Sequence, residues 1–123
     1  MQKSTIKLQL TTPKGQSFYL CVTEPQGLTN VDSDNSDFVI KIVSMDSAMK
    51  IYEQTVQSDP MKVEILVGQF LSGSDQEEIP FLESIGDDEF EIRTNAYVVE
   101  ALHLLGFTHV PVMVRGTDAH LIR

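Results

Sequence analysis

Two period-two runs facing each other across a short Pro–Gly turn constrain this chain more than any other feature. Ile6, Leu8 and Leu10 alternate with Lys7, Gln9 and Thr11, and Phe18, Leu20 and Val22 alternate with Tyr19, Cys21 and Thr23. Successive side chains of a strand point to opposite faces, so each run reads as a strand with one apolar face. Between them stands Thr12-Pro13-Lys14-Gly15. Proline presets φ at the first central turn position, and glycine accepts positive φ. The expectation is a β-hairpin over residues 1–24.

After a loop from Pro25 to Asp37, the periodicity changes several times. Phe38-Val39-Ile40-Lys41-Ile42-Val43 is a short β-branched strand. Ser44 then caps a helix over about residues 45–57, in which Met45, Ala48, Met49, Tyr52 and Val56 form one apolar stripe. Asp59-Pro60 stops that helix, because the residue before proline avoids the α region. Val63, Ile65 and Val67 alternate with Lys62 and Glu64 and predict a second strand, followed by a polar stretch from Ser72 to Pro80 and an unassigned segment. Glu89 to Arg93 reads as a strand, and Thr94 or Asn95 caps a helix that ends at Gly106. Thr108 to Arg115 is the last strand of the core, with Val110, Val112 and Val114 on one side. Pro111 lacks a ladder donor, so this strand is expected at an edge or paired on one side there. Thr117 to Arg123 adds a short terminal strand.

The order from residue 38 to 115 is therefore βαββαβ. Two helices on one face of a four-stranded sheet make the ferredoxin-like arrangement, an α+β two-layer sandwich with the hairpin extending or capping the sheet. The alternative is a mixed open α/β sheet with helices on both faces. A length of 123 residues fits a single domain spanning 1–123. Many unrelated functions share such a topology, so function has to be argued from sites.

Charge narrows the partners. The chain carries 18 acidic and 9 basic residues, a formal net charge of −9. That field repels phosphate backbones and anionic leaflets, and the bases are scattered from Lys3 to Arg123 without a cluster. Neither direct nucleic-acid binding nor membrane binding is expected. Met1 to Lys7 lacks a signal pattern and Cys21 is the sole cysteine, so the expected location is a reducing cytoplasm.

The acids concentrate in one segment. Asp75, Glu77, Glu78, Glu83, Asp87, Asp88, Glu89 and Glu91 fall within residues 75–91, which contain no base. One reading is a solvated loop. The other is an electrostatic docking surface for a basic protein, carried by Asp75, Glu77, Glu78, Asp87, Asp88 and Glu89. Ile79, Phe81, Leu82 and Ile85 between them serve either as docking anchors or as core residues.

Other chemistry is thinner. Asn30 to Asp37 begins like a calcium loop, but Asp37 and Val43 stand where an EF-hand needs Gly and Glu, which leaves an Asx-rich turn. His103, His109 and His120 have no metal-ligand spacing, so no metal site is expected. Glu100 and His103 lie one helical turn apart and are expected to pair. Cys21 with a distant His and Asp118 has the residue types of a nucleophilic triad, but no motif surrounds it, and a buried small hydrophobe is the simpler role. No glycine-rich phosphate loop occurs and no cofactor is expected.

The second helix is unusually apolar: from Ala96 to Leu105 only Glu100 and His103 are polar apart from Tyr97. Such a helix wants a cover on its outer side, and a second subunit docking on Val98, Leu102 and Leu105 provides one, most simply as a two-fold dimer. The functional expectation is a small acidic interaction module of adaptor, immunity or inhibitor type, without catalytic residues, that engages a basic macromolecular surface. The alternative is a small-ligand regulatory domain or compact enzyme with a site on the sheet or at a dimer interface.

Overall fold

Gly15 turns the first hairpin at φ +92°, and Gly15 N donates to Thr12 O at 2.8 Å. This turn belongs to a computed structural model that describes residues 6–22, 38–73, 77–86 and 89–122. Strands β1 (Ile6–Thr11) and β2 (Ser17–Val22) pair antiparallel in unbroken register from Ile6↔Val22 to Thr11↔Ser17. β2 buries Phe18, Leu20 and Val22, the face its alternation predicts.

The remaining elements are β3 (Phe38–Ser44), α1 (Met45–Thr55), α2 (Pro60–Leu71), β4 (Phe81–Gly86), β5 (Glu89–Thr94), α3 (Ala96–Leu104) and β6 (His109–Arg115), followed by a 3-10 turn over Gly116–Leu121. Four strands form one mixed sheet in the order β3-β6-β4-β5. β3 and β6 are antiparallel, β4 and β6 parallel, and β4 and β5 an antiparallel hairpin. The fold is α+β: a β-hairpin, then a four-stranded sheet with helices packed on it, compatible with a ferredoxin-like two-layer sandwich.

One predicted strand is a helix. Residues 62–67 belong to α2, not to a strand. Asp59 caps it by accepting from Lys62 N at 3.3 Å, and Pro60 occupies the first turn, where its missing N–H costs nothing. Val63, Leu66 and Phe70 are buried while Ile65 is 60% exposed, so the period is helical and the alternation at 63, 65 and 67 is incidental. The strand required by the topology is instead β4, in the segment left unassigned. The C-terminal tail coils into the 3-10 turn where a strand was expected, and α1 stops at Thr55, two residues short of the expected 57.

β6 is an inner strand. Pro111 pairs with Ile42 of β3, whereas the ladder to β4 is at Met113↔Phe81. Met113 N reaches across to Pro80 O at 2.8 Å. Alternate residues direct their N–H to the same side, so the nitrogen of Pro111 faces the β4 side beyond the end of that ladder, where no donor is demanded. Pairing on one side at Pro111 is what the sequence required.

Cross-strand partners share a face, so Val110, Val112 and Val114 lie with Val43 on the side covered by α1, all of them fully buried. The hairpin does not join this sheet. It is clipped to the helices by Phe18, which stacks on Phe70 of α2 at 4.5 Å and meets Phe107 edge-on at 5.9 Å. Backbone bonds from Cys21 N to Glu77 O and from Ile79 N to Cys21 O tie it to the chain entering β4.

Nothing lies within 4 Å of a Cβ built on Gly15, so any substitution cost there is conformational. Gly15→Val is expected to lower stability by roughly 1 kcal/mol or more, and Gly15→Asn by less, because asparagine tolerates the left-handed region. Urea unfolding midpoints of the two variants against the parent check this ordering.

Candidate functional site

The acidic segment folds into a structure that separates its charges. Glu83 on β4 is sandwiched between two arginines, Arg93 Nε at 2.8 Å and Arg115 Nη2 at 3.3 Å. Glu91 pairs with Arg93 Nη1 at 2.8 Å. Glu83 and Glu91 are cross-strand partners, and Arg93 lies two residues beyond Glu91 on the same side of β5. The guanidinium of Arg115 also sits 5.6 Å from the centre of the Phe38 ring. Two of the segment's acids are thus neutralised by arginines from outside the segment.

Of the residues expected to dock a partner, Glu77 is half-buried and Glu78 and Glu89 are exposed; Asp75, Asp87 and Asp88 lie outside the described residues. Glu77 and Glu78 precede β4, and Glu89 opens β5 beyond its other end. The length of β4 separates them, roughly 17 Å at about 3.3 Å per residue. That exceeds the Debye length of about 8 Å in physiological salt, so among the described residues Glu77 and Glu78 are electrostatically separate from Glu89. Ile79, Phe81 and Leu82 are core residues, leaving Ile85 as the exposed apolar side chain among the four considered as anchors.

The residues expected at a subunit interface lie elsewhere too. Val98 and Leu102 are 1% and 0% exposed within the single chain, and Leu105 is half-buried against the same core. The cover that α3 requires comes from α1 and α2, both of which pack on it. Reading α2 as a strand removed that cover and left α3 looking bare.

A groove opens beside Glu89. One wall is a single face of α1, with Ser47, Lys50, Ile51 and Gln54 at successive turns. The other is Glu89 and Phe90 of β5, and Leu121 and Ile122 close one end. It is open to solvent and has a volume of about 270 Å³. The stripe that the sequence marks on this helix is a different one, Met45, Ala48, Met49, Tyr52 and Val56. The groove itself is assembled only by the fold, which brings β5 and the C-terminal turn to this face of α1.

A second polar group lies where α1, α2 and α3 meet. Ser58 Oγ donates to Glu100 Oε1 at 3.0 Å, and Tyr97 Oη donates to Gln57 O at 3.3 Å. Glu100 therefore engages Ser58, not His103 as its spacing suggested. Tyr52 is buried and its hydroxyl reaches no partner within hydrogen-bonding geometry. Burial first, and the neighbouring Glu100 second, push its phenol well above the usual tyrosine range, with Ser58 acting weakly the other way.

Among the described residues no three His, Cys, Asp or Glu side chains converge on a metal position, and no helix is long and apolar enough to cross a membrane. Cys21 is a buried thiol on β2. His109 Nδ1 lies 3.0 Å from Thr108 Oγ1. The Asx-rich turn at Asn30–Asp37 lies outside the described residues.

Removing the orphaned hydroxyl should be harmless. Tyr52→Phe is expected to leave stability unchanged or raise it by up to about 1 kcal/mol at neutral pH, since no bond is lost and a buried polar group is relieved. The linkage has a defined sign. A raised folded-state pKa holds the proton more tightly than the unfolded chain does, so this contribution is full below the ordinary tyrosine pKa of about 10 and is lost as pH climbs past it. Parent stability should therefore fall more steeply than that of Tyr52→Phe in urea titrations above that pH.

Comparison of the chain with protein-family models, with curated proteins and with solved structures found no match, so its function rests on the geometry above.

Proposed function

We propose that this chain is a small acidic interaction module, acting in the cytoplasm, that docks a basic surface of a macromolecular partner in the manner of an adaptor, immunity protein or inhibitor. The observation that carries the reading is the unequal treatment of its acids. Glu83 and Glu91 are held by arginines inside the fold, whereas Glu78 and Glu89 stand exposed at opposite ends of the β4–β5 hairpin and enter no ion pair within the described residues. A net charge of −9 reinforces both ends. Such a field raises association rates with a cationic partner more than it slows dissociation.

The two ends are tested separately. One variant converts Asp75, Glu77 and Glu78 to amides, the other Asp87, Asp88 and Glu89. Each should fold normally, because exposed charges contribute little to stability. Affinity capture from a native lysate at low and high salt identifies the partner, and its association rate with each variant is then measured. At least one variant should lose several-fold in association rate and show a shallower salt dependence. A partner that binds both variants at the parent's rate and salt slope overturns the reading and leaves the acids as solvated surface.

Self-association belongs to the same reading, through a surface other than α3. Ile40 and Ile42 project from β3 on the side away from α1, 38% and 59% exposed. A two-fold pairing of this apolar pair needs no charge matching. Light scattering at high micromolar concentration should give twice the chain mass, and Ile42→Lys should return it to one chain. A single-chain mass for the parent sinks the dimer.

A further inference from the structure

The outer edge of β3 is not used by the acidic ends. We propose that two copies of this chain pair along it, β3 against β3 in antiparallel order about Ile40. The proposal rests on the self-association reading above and gives it a geometry. β3 ends the sheet order, and among the described residues no strand lies on its outer side. Two backbone bonds show which residues face outward. Met45 N donates to Thr108 O at 2.8 Å, continuing the β3–β6 ladder past Ser44↔His109. Met113 N donates to Pro80 O, on the side of β6 away from β3. Residues of an antiparallel strand alternate between directing both backbone groups at the partner and directing both away from it. Both bonds give the same phase. Val39, Lys41 and Val43 bond β6 through Val114, Val112 and Val110, so the N–H and C=O groups of Phe38, Ile40 and Ile42 point out at the edge.

Nothing in the strand guards that edge. Proteins ordinarily blunt an edge with proline, a bulge or an outward charge. Phe38 to Val43 holds no proline, its register with β6 is unbroken, and its one charged side chain, Lys41, donates to Ala119 O. Charge also names the occupant. This strand carries no acid in a chain of net charge −9, so two copies meet along it without opposing carboxylates. A cationic partner finds nothing there to attract it, whereas a second copy matches the edge group for group. The register follows from the same terms. Outward residues have to oppose outward residues, and like charges directly opposite are destabilising. Centring the pair on Lys41 sets the two lysines opposite each other and draws in Ser44, which caps α1. Centring it on Ile40 sets Ile40 against the partner's Ile40, Phe38 against the partner's Ile42, and Lys41 against the partner's Val39. Val39, Ile40 and Ile42, all exposed in the single chain, then gain cross-strand neighbours.

The experiment follows amide hydrogen exchange of the full nitrogen-15-labelled chain by NMR, from low to high micromolar concentration, with light scattering on the same samples. Exchange at Phe38, Ile40 and Ile42 should slow at least several-fold as the mass doubles, while Val39, Lys41 and Val43, already bonded to β6, change little. Ile40→Pro removes an outward N–H and no bond to β6, so it should keep the parent's circular dichroism and the mass of one chain. Ile40→Val, which keeps that N–H, should remain a dimer. A dimer whose edge amides exchange at a rate independent of concentration overturns the edge pairing and leaves self-association through the exposed face of Ile40 and Ile42. Slow exchange at these amides already in the dilute monomer overturns it too, because the chain itself then fills the edge. A single-chain mass at every concentration overturns self-association altogether.

Discussion

The rest of the structure depends on β6 being buried on both sides. Val110, Val112 and Val114 sit with Val43 under the helices, while Pro111 and Met113 turn to the opposite face and are buried as well. A strand covered on both faces reads as a continuous apolar run, and placing it between β3 and β4 brings together segments more than sixty residues apart in the chain. Once β6 is inner, β3 and β5 become the edges, and α1 is fixed above them with its polar face at one margin. The Asn95 turn contributes to that placement. Its left-handed φ of 57° reverses the chain between β5 and α3, and its side-chain amide donates to Ile79 O at 3.4 Å, tying the turn to the chain entering β4.

Electrostatics follow from the same topology. Arg115 ends β6 and Arg93 lies near the end of β5, so the parallel β4–β6 pair and the antiparallel β4–β5 pair deliver both guanidinium groups to Glu83. These ion pairs are partly exposed and contribute modestly to stability. Their larger effect is on distribution: they cancel charge at the middle of the β4–β5 hairpin and leave it at the two ends. The exposed acids Glu78 and Glu89 therefore stand at two separate points, not in the continuous strip that a linear reading of residues 75–91 suggests. Near one of those points a groove lies between α1 and β5, lined by Lys50, Ile51, Glu89 and Phe90 among others.

The part of this molecule legible in its sequence was local. Alternation in Ile6–Leu10 and Phe18–Val22, with Gly15 between them, specified the first hairpin because period two and a positive-φ turn are properties of neighbouring residues. The stripe of α1, the Gly106 stop of α3 and the valine run of β6 were legible for the same reason. Val63-Ile65-Val67 is an apolar run short enough to satisfy either period; its alternation predicts a strand, and in the structure it is helical. Asp59-Pro60 reads as a stop, yet the same pair begins α2. That single substitution of strand for helix displaced β4 and stripped α3 of its neighbour, so the expectation about Val98 and Leu102 inherited the error.

Sequence by itself thus determined the fold class, the hairpin, most elements and the net charge, all of which depend on composition and on spacings of a few residues. Tertiary structure alone decided which acids are neutralised, which apolar side chains are core, and that α1 and β5 border one groove. The physical reason is range. Propensity and periodicity act over one or two turns of chain, whereas ion pairing, burial and cavity shape depend on which distant segments the sheet order places side by side.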